Sequence, residues 1–276
     1  MSETIHPTAV VHRATRIDET VTIGPYAVIE DGVELGSHTI VGPHALIQSG
    51  TVTGERCQIG AHAVVGGLPQ DLRFDPRTPS GVRLGDGVVL REGVTVNRAS
   101  KEGAFTEIGT EAFLMACAHV GHDSVVGDHA ILANNVMLGG HVEVGAHAFL
   151  GGAAAVHQFV RIGESAMVGG VARVTRDVPP FTIMAERDEL VGLNLIGLRR
   201  RQLGREEIRA LKQAYRAVCG PGGQMRERAA RYLAAQASLP ERVRRFLEFF
   251  ASGKRGFIQP EIRSAAQVAE ATEDKA

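Results

Sequence analysis

The chain has 276 residues, 33 of them Gly, with 5% aromatic residues and no Trp, which excludes a large aromatic-filled core. Lys and Arg total 30 against 31 Asp and Glu, a net charge of −1, so no global attraction to nucleic acid or to an anionic membrane is expected. The N-terminus lacks a secretory pattern and no apolar run reaches the roughly 18 residues of a membrane span, so no stable membrane insertion is expected, and the expected location is cytoplasmic.

In chain order, the first feature is a repeat. Aliphatic residues fall at Ile5, Val11, Ile17, Ile23, Ile29, Leu35, Val41, Ile47, Ile59 and Val65, a step of six with only Thr53 out of type. The series resumes at Leu84, Leu90 and Val96, then runs from Ile108 through Leu114, Val120, Val126, Leu132, Leu138, Val144, Leu150, Val156, Ile162 and Val168 to Val174. A period of six fits neither the 3.6 of a helix nor the two of an amphipathic strand. It fits a solenoid of short strands and tight turns, in which one inward aliphatic residue per hexad stacks on the next coil and Gly or Asn supplies the turn conformation. An aliphatic core of this kind accounts for the scarcity of aromatics. The pattern resembles the hexapeptide class, whose fold is the left-handed parallel β-helix with three hexads, about 18 residues, per triangular coil.

Two breaks in phase read as loops leaving the rod, one containing Gly67, Leu68, Pro69, Gln70, Asp71, Leu72, Arg73 and Phe74, the other containing Asn97 to Gly103. The hexads stop near Asp177. From about Asn194 the spacing turns helical through Leu203, Ile208, Leu211, Ala214, Tyr215 and Val218, until Gly220, Pro221, Gly222 and Gly223 end it. Two further helices are expected, Gln224 to Ala237 and Pro240 to Ala251, the latter with Pro at its first position. The expected organisation is a mainly β domain over 1–190 with excursions near 67–82 and 97–107, a helical domain over 191–258, and a flexible tail over 259–276. From Arg199 to Arg255 there are 15 basic and 5 acidic residues, so this part carries 15 − 5 = +10. Cys57, Cys117 and Cys219 form no C-x-x-C pair and are expected to be buried free thiols.

Stacked coils bring together residues one turn apart. His122, Gly140 and Gln158 are 18 apart and form one column, with His141 and His157 beside it. A histidine can take a hydroxyl proton, and Asp123 can orient its ring, provided Asp123 sits at a corner rather than on an extended strand. Other histidines, His44, His62, His129 and His147, occupy outward Gly-x-His places and are expected to be solvated or packed between subunits.

The stretch from Leu114 to Asp123 with its H-x-x-H-D pattern, the I-L-A-N-N run from Ile131, the H-Q-F of His157 to Phe159, Asp177 to Pro180, and Gly192 to Arg200 closely resemble the UDP-N-acetylglucosamine acyltransferases of lipid A biosynthesis. The resemblance implies a homotrimer, an (R)-3-hydroxyacyl donor on the phosphopantetheine of acyl carrier protein, a UDP-sugar acceptor, and no metal or other cofactor. It implies His122 as general base, Asp123 as its partner and the Gly140 N–H as oxyanion donor. By the same likeness Gln70, Asp71, Arg73, His119, His141, His157 and Gln158 hold sugar or donor, Asn194 lies near the nucleotide, Arg200 binds phosphate or donor, and Gly170 sets acyl length. The basic helical part suits an acidic carrier protein. Departures are Arg173, Ala99 with Ser100, and Glu186 to Asp188. Competing readings are N-acylation of a 3-amino UDP-sugar, a zinc hydratase with His119, His122 and His141 on one metal, and a scaffold without catalysis.

Overall fold

The computed structural model describes residues 4–220, 224–236 and 238–260. Short strands, most of them two residues long, recur from Val10–Val11 to Arg173–Val174, and the hexad aliphatic residue is the inward member of nearly every one. Successive strands go to different faces and every third one pairs in parallel: Leu46 lies beside Val64, Thr95 beside His119, His119 beside Met137, and Met137 beside Ala155. Among the described residues the ladders form sheets of nine, eight and eleven strands, the three faces of a left-handed parallel β-helix. A two-residue strand has too few hydrogen bonds to persist alone. It holds because coils above and below complete its ladder and because Ile29, Ile47, Leu90, Leu114, Leu132 and Leu150 stack in a buried column system, each burial contributing roughly 1.5–3 kcal/mol. Thr53, the exception in the repeat, is buried in the same way.

Gly32, Gly87, Gly93 and Asn135 take the left-handed corner conformation as expected, but many corners place other residues there. His44, His62, Asp123, His141 and Phe159 occupy it, with φ of 57°, 59°, 59°, 59° and 65°. The strain is offset because the N–H of the left-handed residue donates to the coil below, His62 to Pro43 O at 3.1 Å and His141 to His122 O at 2.9 Å. Glycine is needed two residues before the left-handed position, for a different reason. A Cβ at Gly36 would lie 2.4 Å from Gly54 O, and one at Gly121 2.7 Å from the carbonyl carbon of Gly139, so the strand spacing itself leaves no room for a side chain. The outward histidines stack on one another, His44 on His62 at 4.9 Å and His129 on His147 at 4.6 Å. Cys57 and Cys219 are buried as expected, but Cys117, at a left-handed corner, is exposed.

Strands Val64–Gly67 and Gly81–Leu84 leave 68–80 as a loop, and Thr95–Asn97 and Phe105–Ile108 leave 98–104 as another. Beyond the hexads an antiparallel pair, Thr182–Ala185 with Glu189–Leu193, caps the eleven-stranded face. The hexad reading assigns no strands there, because this pair has neither the period of six nor a hairpin turn signal. Among the described residues four helices follow, α1 (Leu195–Arg200), α2 (Arg205–Val218), α3 (Met225–Ala235) and α4 (Glu241–Glu248). Pro240 precedes α4 as its cap residue rather than opening it, and a 3-10 turn at Phe249–Ala251 continues the path. The expected helix end at Ala237, the glycine-rich stop at 221–223 and most of the expected tail lie outside the described residues; Gln259–Pro260 pairs with Glu189 and Leu190. The helices pack on Leu211, Ala214, Val218, Met225, Val243, Phe246 and Phe250. Among the described residues no helix is long and apolar enough to cross a membrane.

Candidate active site

The nine-stranded face and the corner that follows it carry a groove of about 780 Å³ running along the rod axis. Asn97, His119 and Gln70 line its low end, Gly121, His122, Gly139 and Gly140 its middle, and Ala155, His157, Gln158, Arg173 and Thr175 its upper end. Met137, Leu138 and Val156 give the wall above His119 an apolar stretch.

Asp123 occupies the left-handed corner that its partnership with His122 requires, since there two successive side chains can turn toward each other. His122 Nδ1 donates to Asp123 Oδ2 at 2.6 Å, with the two side chains only 16% and 11% exposed. The Ser100 N–H donates to Asp123 Oδ1 at 3.0 Å and Oδ2 at 3.2 Å, and the Asp123 N–H donates to Thr106 Oγ1 at 2.8 Å. Burial pushes the Asp123 carboxyl up, but the hydrogen bonds from His122 and Ser100 outweigh it and hold the group below the usual carboxylate range. An ionised carboxylate only accepts, so the imidazole proton sits on Nδ1 and the Nε2 lone pair is free.

That lone pair faces the next coil. A Cβ on Gly140 would lie 2.6 Å from His122 Nε2, so glycine is what lets the ring sit under the backbone at this point. Among the described residues the Gly140 N–H donates to no acceptor. The equivalent corner position holds proline at Pro7, Pro25, Pro43 and Pro180, residues with no N–H to satisfy. Gly140 thus presents a surplus donor beside a free imidazole nitrogen.

The neighbouring groups are arranged around this pair. His141 meets His122 edge to face at 5.1 Å, stacks on Phe159 at 4.5 Å, and places Nε2 3.7 Å from Asp123 Oδ2. His119 Nδ1 is engaged by Thr95 Oγ1 at 2.7 Å. Burial lowers the pKa of both His119 and His141. In the folded state they therefore bind a proton less readily than in the unfolded chain, where histidine titrates near 6.5. Stability accordingly falls as pH drops below that unfolded value toward the lower folded one. A His119→Gln variant is expected to show a flatter dependence of melting temperature on pH over this range; an unchanged slope would contradict the assignment.

Asp71 and Arg73 lie on the 68–80 loop, where with Gln70 they form a smaller concavity that reaches His122 and Gln158. Arg73 hydrogen-bonds Asp71 through its side chain, at 3.1 and 2.9 Å, and through its N–H, and these bonds hold the Asp71 pKa at about 2. His157 is met by Arg255, whose Nε also donates to Gln158 O at 3.0 Å, so the segment after the last helical turn reaches the upper groove.

Three expected site residues lie elsewhere. Asn194 caps α1, accepting from the Gly197 N–H at 3.0 Å and donating to Ser165 O at 3.1 Å, so its carboxamide is engaged within the fold. Arg200 is exposed in the last turn of α1 and does not line the groove. Gly170 lies at another corner, where a Cβ would make only ordinary contact with Gly152 O at 3.4 Å. Asn97, absent from the expected site residues, lines the groove; its place at the first residues of a phase break was the available signal. The three histidines of the zinc reading do not converge. Among the described residues the group suited to a metal is His122, Asp123 and His141, with His119 outside it.

A separate concavity of about 510 Å³ on α1 and α2 is lined by Arg199, Arg205, Ile208, Arg209 and Lys212.

A sequence profile described as UDP N-acetylglucosamine O-acyltransferase, domain 2, matches residues 177–258, and a bacterial transferase hexapeptide profile matches 14–49. The chain is 44% identical over 71% of its length to an acyl-[acyl-carrier-protein]--UDP-N-acetylglucosamine O-acyltransferase of Anaeromyxobacter sp. (strain Fw109-5), of which it covers 76%. It is similar to a solved UDP-N-acetylglucosamine acyltransferase from Campylobacter jejuni, with a TM-score of 0.85 and 34% identity over 93% of this chain and 100% of that one. A Francisella novicida enzyme of the same description gives a TM-score of 0.88 and 30% identity over 94% and 95%.

Proposed function

The chain belongs to the UDP-N-acetylglucosamine O-acyltransferase family, and from that membership we propose its reaction. It transfers an (R)-3-hydroxyacyl chain from acyl carrier protein to the 3-hydroxyl of UDP-N-acetylglucosamine, the first step of lipid A biosynthesis. The observation that carries the mechanism is the free Nε2 of His122, backed by Asp123 and set beneath the unused N–H of Gly140.

In this reading His122 Nε2 takes the proton of the sugar 3-hydroxyl as its oxygen attacks the thioester carbonyl carbon. The carbonyl oxygen gains the electron pair, and the Gly140 N–H donates to the oxyanion. Asp123 stays ionised and stabilises the imidazolium. The C–S bond then breaks, the pantetheine sulfur leaves and takes the proton from Nε2, and the ester remains on the sugar. These steps need a base, a donor and alignment. Gln70, Asp71, Arg73, His119, His141, His157 and Gln158 hold the reactants around this centre, with Asn194 near the nucleotide, Arg200 at phosphate or donor and Gly170 setting acyl length. The groove is a furrow on one rod, and Ile40, Met137 and Val171 leave aliphatic surface exposed beside it or on the same prism. Both features support a homotrimer in which adjacent rods wall the site. We place the reaction in the cytoplasm, where carrier protein and nucleotide sugar are both soluble.

The cations around α1 and α2 give the acidic carrier protein a landing surface. Incubation of the protein with 3-hydroxyacyl carrier protein and UDP-N-acetylglucosamine, read by mass spectrometry, is expected to yield the O-acylated sugar nucleotide; no product from a trimeric preparation overturns the reading. In the same assay kcat/KM for the carrier protein is expected to fall by roughly ten-fold or more as salt is raised, through loss of steering. An Arg209→Glu, Lys212→Glu variant is expected to lose most of that salt dependence.

A further inference from the structure

We propose that the Asn97 carboxamide, at the low end of the groove, binds the acceptor sugar. The proposal rests on the acyl-transfer reading of the same groove. Asn97 is 7% exposed, its Oδ1 is sealed from solvent, and among the described residues that oxygen has no hydrogen-bond partner. A buried carboxamide without partners is a cost to folding, and such groups persist where a ligand supplies the missing bonds.

Position gives the ligand its chemistry. Asn97 pairs with Gly67 below, and the register that sets Thr95 beside His119 carries Gly121 above it. Gly67, Gly121 and Gly139 have no side chains, so Asn97 is the one polar side chain in its column between the lower loop and His157. A Cβ on Gly67 would lie 3.1 Å from Asn97 Nδ2, and the glycine therefore leaves the carboxamide room to turn about its last bond, a torsion with broad minima. Either polar atom can then be offered to the groove. Beside it His119 has Nδ1 engaged by Thr95, which leaves Nε2 for a ligand, and Gln70 completes a polar end. Higher on the same face Met137 and Ala155 interrupt the polar lining before His157, Gln158, Arg173 and Thr175. A hydrocarbon cannot satisfy Asn97, whereas the hydroxyl and acetamido groups of the sugar can. The sugar is thus placed at Asn97, with His122 and Gly140 next along the groove.

The test is Asn97→Leu, a near-isosteric change that removes an unsatisfied group, so its melting temperature is expected to equal or exceed that of the wild type. Its KM for UDP-N-acetylglucosamine is expected to rise roughly five- to ten-fold, the loss of one or two hydrogen bonds, with KM for the acyl carrier protein unchanged. An unchanged acceptor KM, or a rise confined to the donor, overturns the proposal. Should Asn97→Leu fail to fold, Asn97→Ser is read in the same way. A wild-type protein that makes no product would overturn the reaction rather than this assignment, which calorimetric titration of UDP-N-acetylglucosamine into wild type and variant then decides: equal affinities sink it, and a five- to ten-fold weaker variant upholds it.

Discussion

Replacing His122 with alanine is expected to lower kcat by about 10²–10⁴, the usual contribution of a positioned general base, while the protein stays folded. The side chain packs outside the aliphatic core, at the corner after a strand whose inward residue is Val120, so its removal leaves the stacked column intact. Asp123→Asn is expected to be nearly as damaging, for a reason visible in the hydrogen bonds. The Ser100 N–H lies within 3.0 Å of one carboxylate oxygen and 3.2 Å of the other. Asparagine will therefore keep its oxygen toward Ser100 and turn its amide nitrogen toward His122 Nδ1. Nδ1 must then accept, the ring proton moves to Nε2, and the base is lost although the ring stays in place. Turnover by Asp123→Asn close to the wild-type rate would show that the carboxylate does not set the tautomer.

Asp177→Ala is expected to destabilise the protein by about 3–5 kcal/mol, the cost of stripping a buried ion pair of one partner. Asp177 is fully buried, and its carboxylate accepts from the Arg161 N–H and Nε, both at 2.9 Å, with Nη2 at 2.7 Å. The same guanidinium donates to Ser252 Oγ, Ser252 O and Phe249 O and lies 4.2 Å from the Phe249 ring centroid. One cation therefore joins the end of the rod to the segment that closes the helices. Without Asp177 it remains desolvated and unneutralised. Denaturant unfolding measures the loss, and limited proteolysis should show the helical part cleaved first. An Asp177→Leu, Arg161→Met pair is expected to recover much of the stability, since replacing both charges with apolar groups removes the desolvation cost. A loss below about 1 kcal/mol in Asp177→Ala would mean the junction is held by the Phe246, Phe249, Phe250 and Phe257 cluster alone.

The two results separate chemistry from architecture. His122 and Asp123 are expected to be expendable to folding and needed for turnover, whereas Asp177 and Arg161 do not line the groove and are expected to keep the helical part seated. The helical part bears the cations that line the concavity on α1 and α2, so its seating would affect the proposed docking of a carrier protein.

The six-residue period was sufficient to specify the rod, its aliphatic core and the stacking of Gly140 on His122, because parallel coils convert a fixed sequence step into a fixed neighbour. It also placed the loops that bear Asp71 and Ser100 at breaks in phase. What the period could not convey was the corner geometry. Whether Asp123 turns toward His122 depends on a φ of 59°, a region sparsely populated by any residue with a Cβ, stabilised by bonds to Thr106 and Ser100 from other coils. The role of the repeated glycines was also hidden, since the constraint at Gly121 is a contact with Gly139 on the next coil rather than a local torsion. Arg255 against His157 and Asp177 against Arg161 join residues with no common period, and the unpartnered carboxamide of Asn97 is defined by what surrounds it in space. Local pattern determined where the chain repeats; only packing between coils and helices decided which groups lose water, which find partners, and which are left free to meet a substrate.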